Sequence, residues 1–296
     1  MVKISMRGEK SMSKKWTLFD YINTFLMLIV LCITLYPMLY IIAVSFSDTI
    51  YIVQNKVNLF PKGFNIEAYK MILNDDRVPR AYLNTVIYTT VGTSINLLMT
   101  AVAAYPLARK NFFGKKYFMF IIAFTMFFSG GMIPNFLLVR SLNMIDTIWA
   151  LVIPNAIWTV ELLIIKSFYE SLDKGLRESA TIDGASEYRI LFQIYIPLSK
   201  AALASVGLFY FMGHWNSFFI PLIYLNTAKK YPLTIILRDM LIYDTAKESN
   251  MEDSARMTPE AMKNATIFVS MIPVLIVYPF AQKYFVKGIM LGSVKG

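Results

Sequence analysis

The chain has little of what soluble and metal-dependent proteins rely on. Charged residues fill only 16% of its 296 positions, against about 25% in ordinary soluble domains. A soluble fold of this length needs more charge than that on its surface, so soluble, fibrous and disordered classes are excluded. A single cysteine, Cys32, rules out a disulfide framework and a thiolate metal centre. A single histidine, His214, rules out most histidine-based metal centres, and no metal site is expected. There is no G-x-x-x-x-G-K-[ST] phosphate loop, no H-E-x-x-H and no G-x-S-x-G elbow. The chain is therefore not, by itself, an ATPase of the phosphate-loop type. A cleaved leader is not expected either, because the first apolar run exceeds an h-region of about 7–15 residues.

What the sequence does contain is long stretches without charge. Uncharged runs of 27 (Tyr21–Ser47), 28 (Ala81–Ala108), 23 (Tyr117–Val139), 28 (Ala201–Ala228) and 19 residues (Asn264–Gln282) lie between clusters of charge. About 20 apolar residues cross a bilayer as a helix, so each run is long enough. A further run, 147–169, carries only Glu161 and Lys166, and Lys166 sits near enough to its end to reach the interface. The expected fold is an all-α membrane protein with six transmembrane helices at about 21–45, 82–104, 117–139, 147–169, 201–224 and 264–284. They form one transmembrane domain over 1–296, with outer loops at 47–80 and 225–263. A β-barrel is excluded because these runs do not alternate polar and apolar residues.

Lys and Arg set the orientation. With the N-terminus inside, the inner segments hold 16 Lys/Arg against 7 Asp/Glu, and the outer segments hold 12 against 11. The short 105–116 loop, with Arg109, Lys110, Lys115 and Lys116 and no acid, is the clearest sign. Both termini are expected in the cytoplasm. The net charge of +10 is mainly topological, and nothing suggests a nucleic-acid partner.

The cytoplasmic segment 174–200 is the most informative part. Gly184 is placed to stop a helix in the left-handed conformation. Ser186 can cap a second helix, with Glu187 in its first turn complementing the dipole. On that helix Tyr188, Leu191, Phe192 and Tyr195 recur at i, i+3, i+4 and i+7, and Pro197 closes it. This stripe needs cover, either from the protein's own helix ends or from a groove on a partner.

Glu178-Ser179-Ala180-x-x-Asp183-Gly184-Ala185, followed by Ile196-Pro197-Leu198, resembles the EAA loop of ABC importer permeases. The wording is that of their carbohydrate-uptake branch, the maltose, oligosaccharide and polysaccharide permeases. Further matches are Phe60-Pro61-Lys62-Gly63-Phe64, Asn84-Thr85, Ala104-Tyr105-Pro106-Leu107-Ala108-Arg109, Gly130-Gly131-Met132-Ile133-Pro134 and His214-Trp215-Asn216-Ser217-Phe218. The tail Phe285-Val286-Lys287-Gly288 to Val294-Lys295-Gly296 also matches, so the resemblance covers nearly the whole chain.

The resemblance implies a type I ABC importer permease fold in a bacterial cytoplasmic membrane. It implies pairing with a homologous second permease, two cytoplasmic ATPase subunits and an extracytoplasmic sugar-binding protein. ATP and Mg would be bound by the ATPase chains and no cofactor by this one, which would be non-catalytic. Residues 174–200 would be the coupling segment, with Glu178, Ser179, Ala180, Asp183, Gly184, Tyr188, Leu191, Phe192 and Tyr195 at the ATPase. Lys287, Gly288, Lys295 and Gly296 would reach the interface between the two ATPase subunits.

Glu161, Tyr210, His214, Trp215, Asn216 and Ser217 are candidates for the substrate path, the alternative being hydrogen bonding between helices. Glu161 departs from the uncharged residue that the resemblance leads one to expect. In a continuous helix from Thr147 it would lie about 21 Å into the membrane, facing a cavity or a partner. The leading reading is thus the permease subunit of an ATP-driven sugar importer. A permease for another solute, an ion-driven transporter or a membrane enzyme would leave the EAA segment or the tail without a role.

Overall fold

The computed structural model describes residues 17–247 and 257–292. Among the described residues every regular element is helical: α1 (Leu18–Ser45), α2 (Thr49–Val53), α3 (Glu67–Asn74), α4 (Arg77–Ala108), α5 (Lys115–Phe127), α6 (Met132–Ser141), α7 (Ile148–Val152), α8 (Thr159–Ser171), α9 (Lys174–Ile182), α10 (Glu187–Ile190), α11 (Ile196–Leu198), α12 (Lys200–Trp215), α13 (Phe219–Tyr224), α14 (Leu233–Lys247) and α15 (Met257–Gly292). A π-helical turn, Leu191–Tyr195, joins α10 to α11.

Three segments are straight and apolar enough to cross a bilayer: α1, α4 and Glu260–Pro279 of α15. α1 begins with a capping box, in which the Thr17 backbone N–H donates to Asp20 and the Asp20 N–H donates back to the Thr17 hydroxyl. It buries only Ala43, Val44 and Ser45. Leu18–Tyr36 are exposed apart from Asp20, as suits a helix in lipid, and only the stretch from Met38 packs on the rest of the chain.

The other three expected spans are not continuous helices, and the physical reasons are local. In 117–139 the chain turns through 118° between α5 and α6. Gly131 makes the corner at φ +86°, a conformation closed to most side chains. In 147–169 the axis bends by 52° between Ile148–Asn155 and α8, where Pro154 removes the N–H that the Ala150 carbonyl would accept. In 201–224 α12 stops at Trp215 and α13 starts at Phe219, with Pro221 in its first turn.

The remaining helices outrun their expected bounds. α4 extends past 82–104 at both ends. α15 extends past 264–284 and continues as helix through Gly288 to Gly292. The outer loops are also structured: 47–80 holds α2 and α3, and 225–263 holds α14, whose Leu233, Ile235 and Ile236 are buried. Three apolar clusters hold the helices together. One of them joins the end of α4 (Ala104, Leu107), α8 (Leu162, Ile165), the segment 174–200 (Ile190, Leu191) and α12 (Val206).

Candidate functional site

The segment 174–200 folds as two helices around a glycine turn. Asp173 caps α9 by accepting from the Gly175 N–H at 2.9 Å. Gly184 takes φ +78°, and the Ala185 N–H closes the turn on the Ala180 carbonyl at 2.9 Å. Ser186 caps α10. From Glu187 to Leu198 the chain is one rod, meeting α12 at 81°. The rod therefore lies nearly perpendicular to α12.

The aromatic stripe divides in two. Leu191 and Tyr195 are buried inside the chain, whereas Tyr188 is 76% exposed and Phe192 47% exposed. The π-helical turn widens the spacing between Leu191 and Tyr195, so the four residues do not share one face. Tyr195 stands edge-on to Tyr105 (centroids 4.9 Å apart) and to Tyr169 (5.3 Å). What remains exposed on this segment is Tyr188, Phe192 and Ile182, with Glu178 and Asp183 beside them.

One carboxylate ties this segment down. The Tyr105 hydroxyl donates to Glu187 Oε2 at 2.5 Å and Arg177 Nη2 donates to Oε1 at 2.7 Å. Arg109 Nη1 stands 3.2 Å from the same Oε1. The Arg177 guanidinium, with the Tyr105 hydroxyl and Arg109, holds the Glu187 carboxyl below its ordinary range against the opposing effect of burial. A smaller cluster lies beside it, where Glu170 accepts from Lys115 at 2.9 Å and from Lys166 at 2.8 Å. Lys166 thus pairs one turn ahead on its own helix, not with Glu161.

Inside the helical body, polar side chains form a ladder along α4. Thr85, Thr89, Thr93, Asn96 and Thr100 follow one another at helical spacing. Thr85 accepts from the Leu233 N–H at 2.8 Å. Asn96 donates to the Asn155 carbonyl at 2.6 Å, and its oxygen, which can only accept, lies 2.7 Å from His214 Nε2. Nε2 therefore carries the proton. The Thr100 and Tyr210 hydroxyls are 2.6 Å apart, and the Trp158 N–H donates to Tyr210 at 3.3 Å. The break before α8 is thereby held by α4 and α12.

Two glycines allow that closeness. A Cβ on Gly213 would lie 2.1 Å from Trp158 Cη2, and one on Gly92 would lie 2.6 Å from His214 Nε2. The hydroxyls of Thr89 and Thr93 are buried without a hydrogen-bond partner. Thr89 lines a cavity of about 230 Å³ with Tyr82, Phe211, Trp215 and Pro273.

The six candidate path residues therefore differ. Tyr210 is fully buried in the ladder, and Trp215 is buried with its indole N–H on the Ser270 carbonyl at 3.1 Å. His214 is half-buried on Asn96. Asn216 is exposed and donates to the Met212 carbonyl at 2.9 Å, and Ser217 is half-buried. Glu161 is half-buried in the first turn of α8. The depth expected for it assumed a continuous helix; the break puts it instead at a helix N-terminus, where the dipole favours a carboxylate. The ladder and the Glu187 contacts went unnoticed in the sequence reading, although the ladder's spacing was visible inside the 81–108 run. Of the tail, Lys287 and Gly288 lie on α15, and Lys295 and Gly296 lie outside the described residues. Among the described residues no group of three or more metal-binding side chains occurs.

Residues 96–291 match the family model "Binding-protein-dependent transport system inner membrane component". The chain is 39% identical over 282 residues to the polygalacturonan/rhamnogalacturonan transport system permease protein YtcP of Bacillus subtilis, covering 94% of this chain and 99% of that one. It is 41% identical to protein LplC of the same organism, covering 96% and 97%. Among solved structures it resembles a bacterial ABC transporter involved in the import of the acidic polysaccharide alginate. There the TM-score is 0.83 and the identity 34%, over 90% of this chain and 96% of that one.

Proposed function

The chain belongs to the binding-protein-dependent transport system inner membrane components, and we propose that it imports a sugar, an oligosaccharide or a polysaccharide fragment, as one half of a permease pair. The observation that carries this reading is full-length identity near 40% to a permease named for polygalacturonan and rhamnogalacturonan. The similarity to an alginate importer supports it independently. ATP is hydrolysed, with Mg, on two partner ATPase chains, one of which seats on Tyr188, Phe192, Ile182, Glu178 and Asp183. Both termini are cytoplasmic, in keeping with the basic 105–116 loop, and a sugar-binding protein docks on the outer side, near α3 and α14.

Glu161, Asn216 and Ser217 are the candidates for meeting the sugar, because they keep exposed surface. Tyr210 is spent on Thr100, and His214 and Trp215 on the seam between helices. The test is ATP hydrolysis by the reconstituted complex with its binding protein, comparing uronic-acid oligosaccharides with neutral ones and with amino acids. Stimulation by uronic-acid oligosaccharides is expected. Stimulation by a non-sugar solute alone would overturn the reading.

A further inference from the structure

We infer that Glu187 is a positioning residue that joins the coupling segment to α4, so that force applied to the segment by ATP hydrolysis reaches the membrane helices. This rests on the proposed importer function and deepens it. Both side-chain ties described between the segment and the end of α4 finish on this one carboxylate: Tyr105 from the last turn of α4 and Arg109 just beyond it. Its third partner, Arg177, comes from α9. One side chain therefore locks both coupling helices to each other and to α4.

The apolar contacts around it cannot do the same. Leu191 and Tyr195 dock on Tyr105, Leu107 and Tyr169 through dispersion and ring edges. Such contacts resist separation, but they are not directional and tolerate sliding. Charge-assisted hydrogen bonds to a planar guanidinium fix direction as well as distance. Without the carboxylate, Arg109 and Arg177 would face each other unscreened, and the Tyr105 hydroxyl would lose its acceptor.

The experiment uses the whole complex, with second permease and ATPase chains, in proteoliposomes containing the binding protein. Sugar imported and ATP hydrolysed are measured in the same vesicles for wild type, Glu187→Gln and Tyr105→Phe. The expected result is that ATP consumed per sugar rises by roughly tenfold in Glu187→Gln, the size of one charge-assisted hydrogen bond. Tyr105→Phe should raise it less. The double variant should be no worse than Glu187→Gln alone, because both act through one contact. A purely structural role would lower the yield of complex and leave that ratio unmoved.

A wild-type ratio in both variants overturns the proposal. If Glu187→Gln fails to assemble, Tyr105→Phe decides the matter, since it deletes one hydroxyl and keeps the ring. Absence of sugar import by the wild-type complex would instead count against the importer reading itself.

Discussion

Two carboxylates, at opposite ends of the molecule, gather several donors each, and they do it differently. At one end Asp146, held at φ +60°, accepts from the backbone N–H groups of Asn226 and Thr227 at 3.0 Å. It also accepts from the Thr227 hydroxyl and from Lys230 Nζ, both at 2.7 Å. Every one of these partners lies within five residues of one segment, which Asn84 and Tyr88 pin from the other side. At the other end Glu187 collects Tyr105 and Arg109 from the end of α4 and Arg177 from α9. Asp146 ties its own loop to one short segment 80 residues later, whereas Glu187 draws two separate elements onto its own. Loss of the first frees one pair of loops, and loss of the second uncouples three parts of the fold.

That contrast can be broken in four ways, in order of expected effect. Glu187→Lys puts a third cation between Arg109 and Arg177. Sugar import should fall by about a hundredfold at matched membrane abundance, since a like-charge contact replaces an attractive one on both sides. Import within twofold of wild type would show that the Glu187 cluster, like the Asp146 one, only holds its segments in place.

Gly184→Val forces a β-branched residue into φ +78°, costing on the order of 1–3 kcal/mol. Import should drop by about tenfold while insertion and abundance stay unchanged, because the helices and loop charges are untouched. An unaltered rate would remove the turn from the coupling role.

Asp146→Asn keeps the shape and removes the charge. Hydrogen exchange should quicken at Asn226 and Thr227, whose N–H groups it holds, with import changed less than threefold. The Asp146 carboxyl is held far below its ordinary value, first by Lys230 and then by Thr227. A lowered folded-state pKa contributes stability that is present above the unfolded value of about 3.9 and lost as pH falls through the folded one. The melting-temperature gap between wild type and Asp146→Asn should therefore be constant from pH 7 to about pH 5. It should narrow only under stronger acid. A gap that closes near pH 6 would mean some other group controls this loop.

Glu161→Gln should have the smallest effect, since an amide in the first turn of α8 keeps the hydrogen-bonding capacity and loses only the dipole interaction, about 0.3–1 kcal/mol. Uptake measured across several oligosaccharides should change in relative preference more than in total. Uniform wild-type uptake would take the residue off the path.

The glycine turn of the coupling segment was legible because its cause is local. Gly184 and the Ser186 cap lie a few residues apart, and backbone sterics decide both. The ladder on α4 was legible in principle, since Thr85 to Thr100 share a face by helical period alone. Its partners were not: Leu233, Asn155, His214 and Tyr210 come from other helices, and only packing selects them. Glu187 could be read as a helix-start acid, and nothing in its neighbourhood pointed to Tyr105, 82 residues earlier.

The sequence by itself determined that this is a helical membrane protein with an EAA-type segment at 174–200. Charge scarcity, run length and the EAA spacing act over short distances and leave no soluble alternative. Tertiary structure alone decided which distant side chains satisfy the breaks in those runs, which half of the aromatic stripe stays open, and that one carboxylate holds segment 174–200 to α4. A bend at Ala156–Trp158 survives only because Asn96 and Tyr210 satisfy the backbone groups it exposes, and unpaired polar groups are costly where water is absent. Such bonds join residues far apart in sequence, and only the folded chain brings them within reach.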